Sequence, residues 1–357
     1  MNLQVKQVNR FFLLATAPFL GLLLTLWISS ASLSWNVKNS SLEQKHDAAI
    51  VEQTQAISAG LSQAEQTAKY TVTTIKKTAN LYTQTTRTMN AIVSTAKVQA
   101  ARPETIYNKR IVSRLGVPFQ TVQSDRIRIE LYKLNSGTYK GYAMKVKLKD
   151  KSAMKMVLGK DTLGGSETTL HAVSRYGAVA GINAGGFADA GGKRYPLSTT
   201  VLNGKYLTGF EPSFKDLFFV GMSTSGKLIG GKFYSQQQLD KLQPLFGASF
   251  VPVLLQNGVK TTIPDKWKIS PYRAPRTVIG SYKDDQLLIL VVDGYDENGN
   301  SGATLEEIQN KLFNLGVKNA YNLDGGGSSS LIFNGQIINH PSDKALRPVP
   351  THFLFFK

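Results

Sequence analysis

The spacing of apolar residues changes character three times along the chain. Residues 11–35 form a run of 25 without a charge, rich in Leu, Phe and Ala. That exceeds the ~20 residues a helix needs to cross a hydrocarbon core. Lys6 and Arg10 precede it. This predicts a short cytoplasmic tail (1–10), a single-pass transmembrane anchor (11–35), and the remainder outside the cell membrane. A cleavable leader is the alternative, with Ser29-Ser30-Ala31 as its small-residue site, but the run is long for a signal peptide. Residues 36–105 are then read as a helical stalk. From Ile50 through Ile57, Leu61, Ile75, Tyr82, Met89 and Ile92 to Ala96, apolar and small residues recur in alternating steps of three and four. That is the seam spacing of a coiled coil. Thr and Ala fill many seam positions, so a lone stalk helix and a homo-oligomeric one both remain open. Arg102-Pro103 is expected to end the helix, because the residue before proline avoids the helical region.

From 106 onward, short apolar runs alternate with turn residues, and 28 of the 31 glycines lie at or after Gly137. Strands are expected at 127–134, 143–148, 179–182, 217–220, 250–255, 287–292, 320–323, 330–333 and 353–356, and helices at 168–176, 235–242 and 304–315. Strands in excess of helices, without regular alternation, predict an α+β domain over 106–357 built on a mixed β-sheet with a few flanking helices.

Composition narrows the chemistry. The chain of 357 residues has no cysteine and four histidines, which removes disulfides, thiolate metal sites and thiol nucleophiles. Its formal charge is +18. Residues 106–357 hold 32 bases and 19 acids, a net +13, so an acidic partner is expected for this domain. No basic helix or interleaved aromatic–basic motif points to nucleic acid.

Three Gly-rich segments stand out: Asn183-Ala184-Gly185-Gly186-Phe187, Arg273-Ala274-Pro275-Arg276-Thr277, and Asn322-Leu323-Asp324-Gly325-Gly326-Gly327-Ser328. With Val292-Asp293-Gly294, Thr304-Leu305-Glu306-Glu307 and Pro341-Ser342-Asp343 followed by Arg347-Pro348, they form six ordered motifs from about Thr168 to the C-terminus. In that order they resemble the phosphodiester glycosidase family. The resemblance implies a glycosidase-type hydrolase of sugar-1-phosphodiesters that needs no cofactor. The chain departs from the family pattern at Ala184, Ala188, Leu197 and His352.

Such a substrate calls for a carboxylate near the anomeric carbon and a clamp for the departing phosphate. Asp324 ends an apolar run and opens three glycines whose amides can approach an anion. Asp293 ends another run and is the expected second carboxylate, while Asn183 is the expected catalytic amide. The guanidinium of Arg276, with Thr277, is the expected phosphate clamp. Gly185, Gly186, Gly325, Gly326, Gly327 and Ser328 would contribute donors. Asp343 and Arg347 would line the rim or lock the C-terminal loop as a pair. Ser328 lacks a histidine nearby in sequence, which disfavours it as a nucleophile. Asp296, Asn298, Asn300 and Glu307 match four positions of a calcium loop, but Ser301 stands where that loop requires glycine. Thr304 and Glu307 instead read as a capping box.

The expected function is cleavage of an N-acetylglucosamine-1-phosphate type linkage in a cell-wall polymer or exopolysaccharide. The alternative is a non-catalytic module that binds an anionic, phosphate-containing glycan.

Overall fold

Helix α1 spans Asp47–Leu115 in the computed structural model, which describes residues 17, 19–28, 47–295 and 301–357. The chain divides into two units, residues 1–94 and 95–357. Most of the expected anchor lies outside the described residues. Its described part is helical over 19–28, and no helix among the described residues is long and apolar enough to cross a membrane. The expected stop at Arg102-Pro103 is not found. Proline removes one backbone donor, and that loss is outweighed where Ile111 and Leu115 bury themselves in the domain core. Gly116, at φ +93°, ends the helix by donating to Val112 O.

The second unit continues through β1 (Gln120–Gln123), β2 (Ile127–Asn135), β3 (Lys140–Leu148), β4 (Met154–Leu158), α2 (Thr169–Tyr176), β5 (Ala180–Asn183), β6 (Phe187–Ala190), β7 (Lys193–Pro196), β8 (Val201–Leu202), β9 (Lys205–Tyr206), β10 (Phe218–Ser223) and β11 (Leu228–Gly231). After them come α3 (Gln236–Asp240), β12 (Pro244–Phe250), β13 (Val253–Gln256), β14 (Val259–Lys260), α4 (Asp265–Ile269), β15 (Arg276–Ser281), β16 (Leu287–Val292), α5 (Leu305–Leu315), β17 (Asn319–Leu323), β18 (Leu331–Phe333), β19 (Gln336–Ile337) and β20 (Thr351–Phe355).

Three sheets result: β1-β2-β3-β16-β15-β17-β13-β14, β11-β10-β12-β8-β9, and β19-β18-β5-β20-β4, with β6-β7 as a separate hairpin. The domain is sheet-rich with flanking helices, as expected, but its sheets are not mixed. Every strand pair among the described residues is antiparallel. The reason is insertion. β16 and β17, joined through α5, run the same way, yet β15 lies between them and opposes both.

β16 explains why its sequence is apolar throughout. Leu287, Ile289 and Val291 face the core shared by all three sheets, while Leu288, Leu290 and Val292 face α5. Both sides are dry, so polar alternation is lost. α5 is held by the expected capping box: Glu307 N donates to Thr304 Oγ1 at 3.0 Å, and Thr304 N donates to Glu307 Oε2 at 2.9 Å. Gly316 closes it at φ +80°.

Candidate functional site

Three strand termini meet at one end of the large sheet. Arg276 opens β15 and pairs with Val292, the last residue of β16. Thr277 pairs with Leu323, the last residue of β17. Asp293 and Asp324 therefore follow strands on either side of β15, with Arg276 between them. Neighbouring strands are ~4.8 Å apart, so the backbones of the two acidic residues lie roughly 10 Å apart across the sheet.

They do not share a cavity. Asp324 lines one of about 310 Å³ with Arg276, Gly325, Gly326, Arg347 and Trp267. Asp293 lines another of about 550 Å³ with Arg273, Tyr139, Tyr295, His340 and Ser342. The two expected carboxylates thus open on different cavities. The two arginines part in the same way. Arg273 pairs with Glu307 at 2.8 Å, and Glu307 also forms the expected helix cap at Thr304. Asp296, Asn298 and Asn300 lie outside the described residues. No cluster of three or more His, Asp or Glu stands ready for a metal among the described ones.

Arg276 is the unusual cation. It is 6% exposed, and its guanidinium donates to Ala303 O at 3.2 Å and Pro271 O at 3.0 Å. Among the described residues no carboxylate pairs with it. Burial pushes its pKa down to about 10. A buried charge held by carbonyl dipoles is costly until an anion joins it, and this one borders a cavity. Asp293 is perturbed by burial too. Desolvation raises its carboxyl above the ordinary range, against a 2.8 Å bond accepted from His340 N.

Asn183 has a different place from the one expected. It is fully buried at the end of β5. Its Oδ1 accepts from Thr277 Oγ1 at 2.9 Å and from Ser330 N at 3.1 Å, while its Nδ2 donates to Asp324 O at 2.6 Å. Both amide ends are occupied by protein, and so is the Thr277 hydroxyl. One side chain thus bolts together the three Gly-rich segments from beneath, including the backbone of Asp324.

The glycines divide likewise. A Cβ on Gly185 would stand 2.6 Å from Ala248 Cβ, and one on Gly186 would stand 2.5 Å from the Phe250 ring. Gly186 N donates to Ser249 O at 3.1 Å. These two serve close packing against β12 rather than anion binding. Gly326 N is also occupied, donating to Pro275 O at 2.9 Å. At Gly327 a Cβ would lie 2.2 Å from Arg347 Nη2 and 2.4 Å from Asp343 Oδ2. The missing side chain admits the Asp343–Arg347 ion pair (2.8 Å), and Arg347 reaches the Asp324 cavity. Ser328 is 2% exposed, and its Oγ has no hydrogen-bond partner among the described residues, histidines included.

A second buried network lies behind this one. His352 Nδ1 is 3.2 Å from Thr169 Oγ1, which is 2.6 Å from Ser330 Oγ. Sequence reasoning did not assign a role to Trp267, Phe250 or Thr169. Nothing local marks them: Trp267 reaches the cavity from α4 and Phe250 from the end of β12, while Thr169 joins the network from the start of α2.

The sequence pattern of the phosphodiester glycosidase family matches residues 176–356. The N-acetylglucosamine-1-phosphodiester alpha-N-acetylglucosaminidase of Bos taurus is 43% identical over 68 residues, 19% of this chain and 12% of that protein. The Homo sapiens protein of the same name is 41% identical over 68 residues, 19% of this chain and 13% of its own. The aligned segment thus spans about an eighth of these relatives' length. The zebrafish N-acetylglucosamine-1-phosphodiester alpha-N-acetylglucosaminidase catalytic domain, auto-inhibited by its pro-peptide, shares the fold. Its TM-score is 0.54 at 20% identity, over 68% of this chain and 89% of that one. On the match over 176–356, which carries every candidate site residue, the chain belongs to the phosphodiester glycosidase family.

Proposed function

We propose that this protein hydrolyses the glycosidic bond of a sugar-1-phosphodiester. The observation that carries this reading is Arg276, a buried guanidinium without a carboxylate partner among the described residues, beside Asp324 in one cavity. Water adds to the anomeric carbon, the bond from that carbon to the phosphate oxygen breaks, and the phosphate leaves as a monoester. A phosphate is already a stable anion, so its departure needs little proton donation. It needs charge stabilisation, which Arg276 and Arg347 supply. Asp324 stabilises the oxocarbenium-like transition state from the same cavity. Asn183 and Thr277 hold Asp324 in place without touching substrate. Asp293 anchors the loop at His340 beside the neighbouring cavity.

The natural substrate on this reading is a phosphate-linked glycan of a cell wall or exopolysaccharide. The net +13 of residues 106–357 concentrates such a polymer near the site. Residues 11–35 anchor the chain in the cell membrane and place the domain outside, a reading supported by their charge-free length and by Lys6 and Arg10.

The test is release of free sugar from an N-acetylglucosamine-1-phosphodiester by the full chain. Asp324→Asn should abolish release while glycan binding persists. Folded protein that frees no sugar from any hexose-1-phosphodiester refutes catalysis and leaves the binding module in its place.

A further inference from the structure

The proposed chemistry leaves one feature of the chain unused, the face of α1 that carries the three-four repeat. Over 50–94, within the first unit, every residue of α1 is exposed, with Leu61 at 72% and Tyr82 at 71%. A long helix with so many bare apolar side chains gains its stability from packing rather than from propensity.

The arrangement of charges says what covers it. With Thr54 and Leu61 at heptad position a, Ile50 and Ile57 fall at d. Glu52, Lys69, Lys76, Lys77 and Arg87 then all fall at b, c or f. Glu65 alone stands beside the seam, at e, and it pairs with Lys69 on its own helix at 2.6 Å. An identical face can therefore meet this one without opposing like charges. Val51, Val72 and Val93 occupy e and widen the apolar stripe.

The threonines that interrupt the seam are compatible with burial. Thr54 Oγ1 donates to Ile50 O, and Thr71 Oγ1 donates to Thr67 O at 2.7 Å. These hydroxyls are satisfied within the helix, so neither needs water or a partner's polar group.

The choice of residues at a and d also bears on copy number. Position d is β-branched at Ile50, Ile57, Thr71, Thr78, Thr85 and Ile92, with Ala64 the exception, whereas a holds Leu61, Ala68, Tyr82 and Met89 and is β-branched at Thr54 and Ile75 alone. Two-stranded coils prefer the reverse arrangement, and β-branched d positions shift the preference to three or four strands. The stretch is about 65 Å long at 1.5 Å per residue, and a strip ~10 Å wide gives roughly 650 Å² per neighbour. Two neighbours together exceed the ~800 Å² per partner of a stable interface.

We propose that this face joins three or four copies of the chain in a parallel, in-register bundle. The absence of native cysteine makes the test clean. In the full chain, in mild detergent, Leu61→Cys at the seam should form disulfide-linked pairs on oxidation, and Gln66→Cys on the outer face should not. Native mass spectrometry of the unaltered chain should give three or four chains. Ile75→Asp should release single chains with a weakened helical circular dichroism signal, while the unfolding transition of the domain over 106–357 stays in place. A mass of one or two chains, equal cross-linking at 61 and 66, or a complex formed solely with a different protein overturns the proposal.

Discussion

His352 offers the sharpest physical test of the domain. It is fully buried, and burial pushes its imidazole down to about 4. Its Nδ1 faces Thr169 and its Nε2 has no partner among the described residues. The charged groups that act on it are Glu167, which favours the proton, and Arg175, which opposes it. In the unfolded chain the ring titrates near 6.5. Between pH 6.5 and 4 the unfolded state therefore binds a proton that the folded state refuses. Stability is fully present above 6.5, falls as pH drops through this window, and levels off below about 4. A displacement of roughly 2.5 units corresponds to about 3 kcal/mol at 1.36 kcal/mol per unit. That is a large part of the 5–15 kcal/mol typical of a domain. The assay is urea unfolding followed by near-ultraviolet circular dichroism at several pH values, for the native chain and for His352→Asn. The variant keeps a polar atom near Thr169 and has nothing to titrate. The stability difference between the two proteins should narrow by about 3 kcal/mol from pH 7 to pH 4. A difference that stays constant over that range refutes the reasoning.

Three further outcomes follow from the site. Arg276→Lys keeps the charge but loses the planar fork, so kcat/KM should fall about 10²-fold. Inorganic phosphate, which should raise the melting temperature of the native domain, should no longer do so. Asn183→Ala leaves the Thr277 hydroxyl, Ser330 N and Asp324 O without their partner. At ~1–3 kcal/mol per orphaned group it should cost about 3–9 kcal/mol in chemical denaturation and suppress sugar release at the same time. Gly185→Ala drives a methyl against Ala248 and the Ser249 carbonyl, both in β12. Overpacking against backbone should cost about 1–3 kcal/mol, read as a lower unfolding midpoint.

Much of this architecture was legible in the sequence where a local cause sets it. α5 follows from the Thr304–Glu307 capping box and the apolar spacing that predicts a helix to residue 315. β16 was bounded to the residue, because both of its faces are dry. β15 was recognised as a motif and not as a strand, since Arg276, Thr277, Gly280 and Ser281 hide four of its six positions among polar and small residues. β12 was hidden in part by Gly247, which packs closely on β10. The antiparallel pairing could not be read, because strand order depends on which strand slips between β16 and β17. For Asn183 the residue was singled out and its role was not. An amide after a buried strand looks the same whether it faces a ligand or bolts three loops, and the difference lies in where residues 277, 324 and 330 arrive. The reach of α1 past Pro103 was also invisible, as it depends on the burial of Ile111 and Leu115 far along the helix.

The placement of the site at one end of β15 and β16 leaves the other end of those strands chemically idle. The turn joining them, at 282–286, exposes Lys283 and Asp285, and Asp285 sits at φ +63°. Six residue steps of ~3.3 Å separate the first residue of the turn from Arg276, about 20 Å along the sheet. A reporter peptide or a second domain inserted between Asp284 and Asp285 would therefore ride on the rigid centre of the large sheet while standing clear of substrate. The same hairpin that carries Arg276 to the candidate site becomes a handle by which the domain can be labelled, tethered or fused at its opposite end.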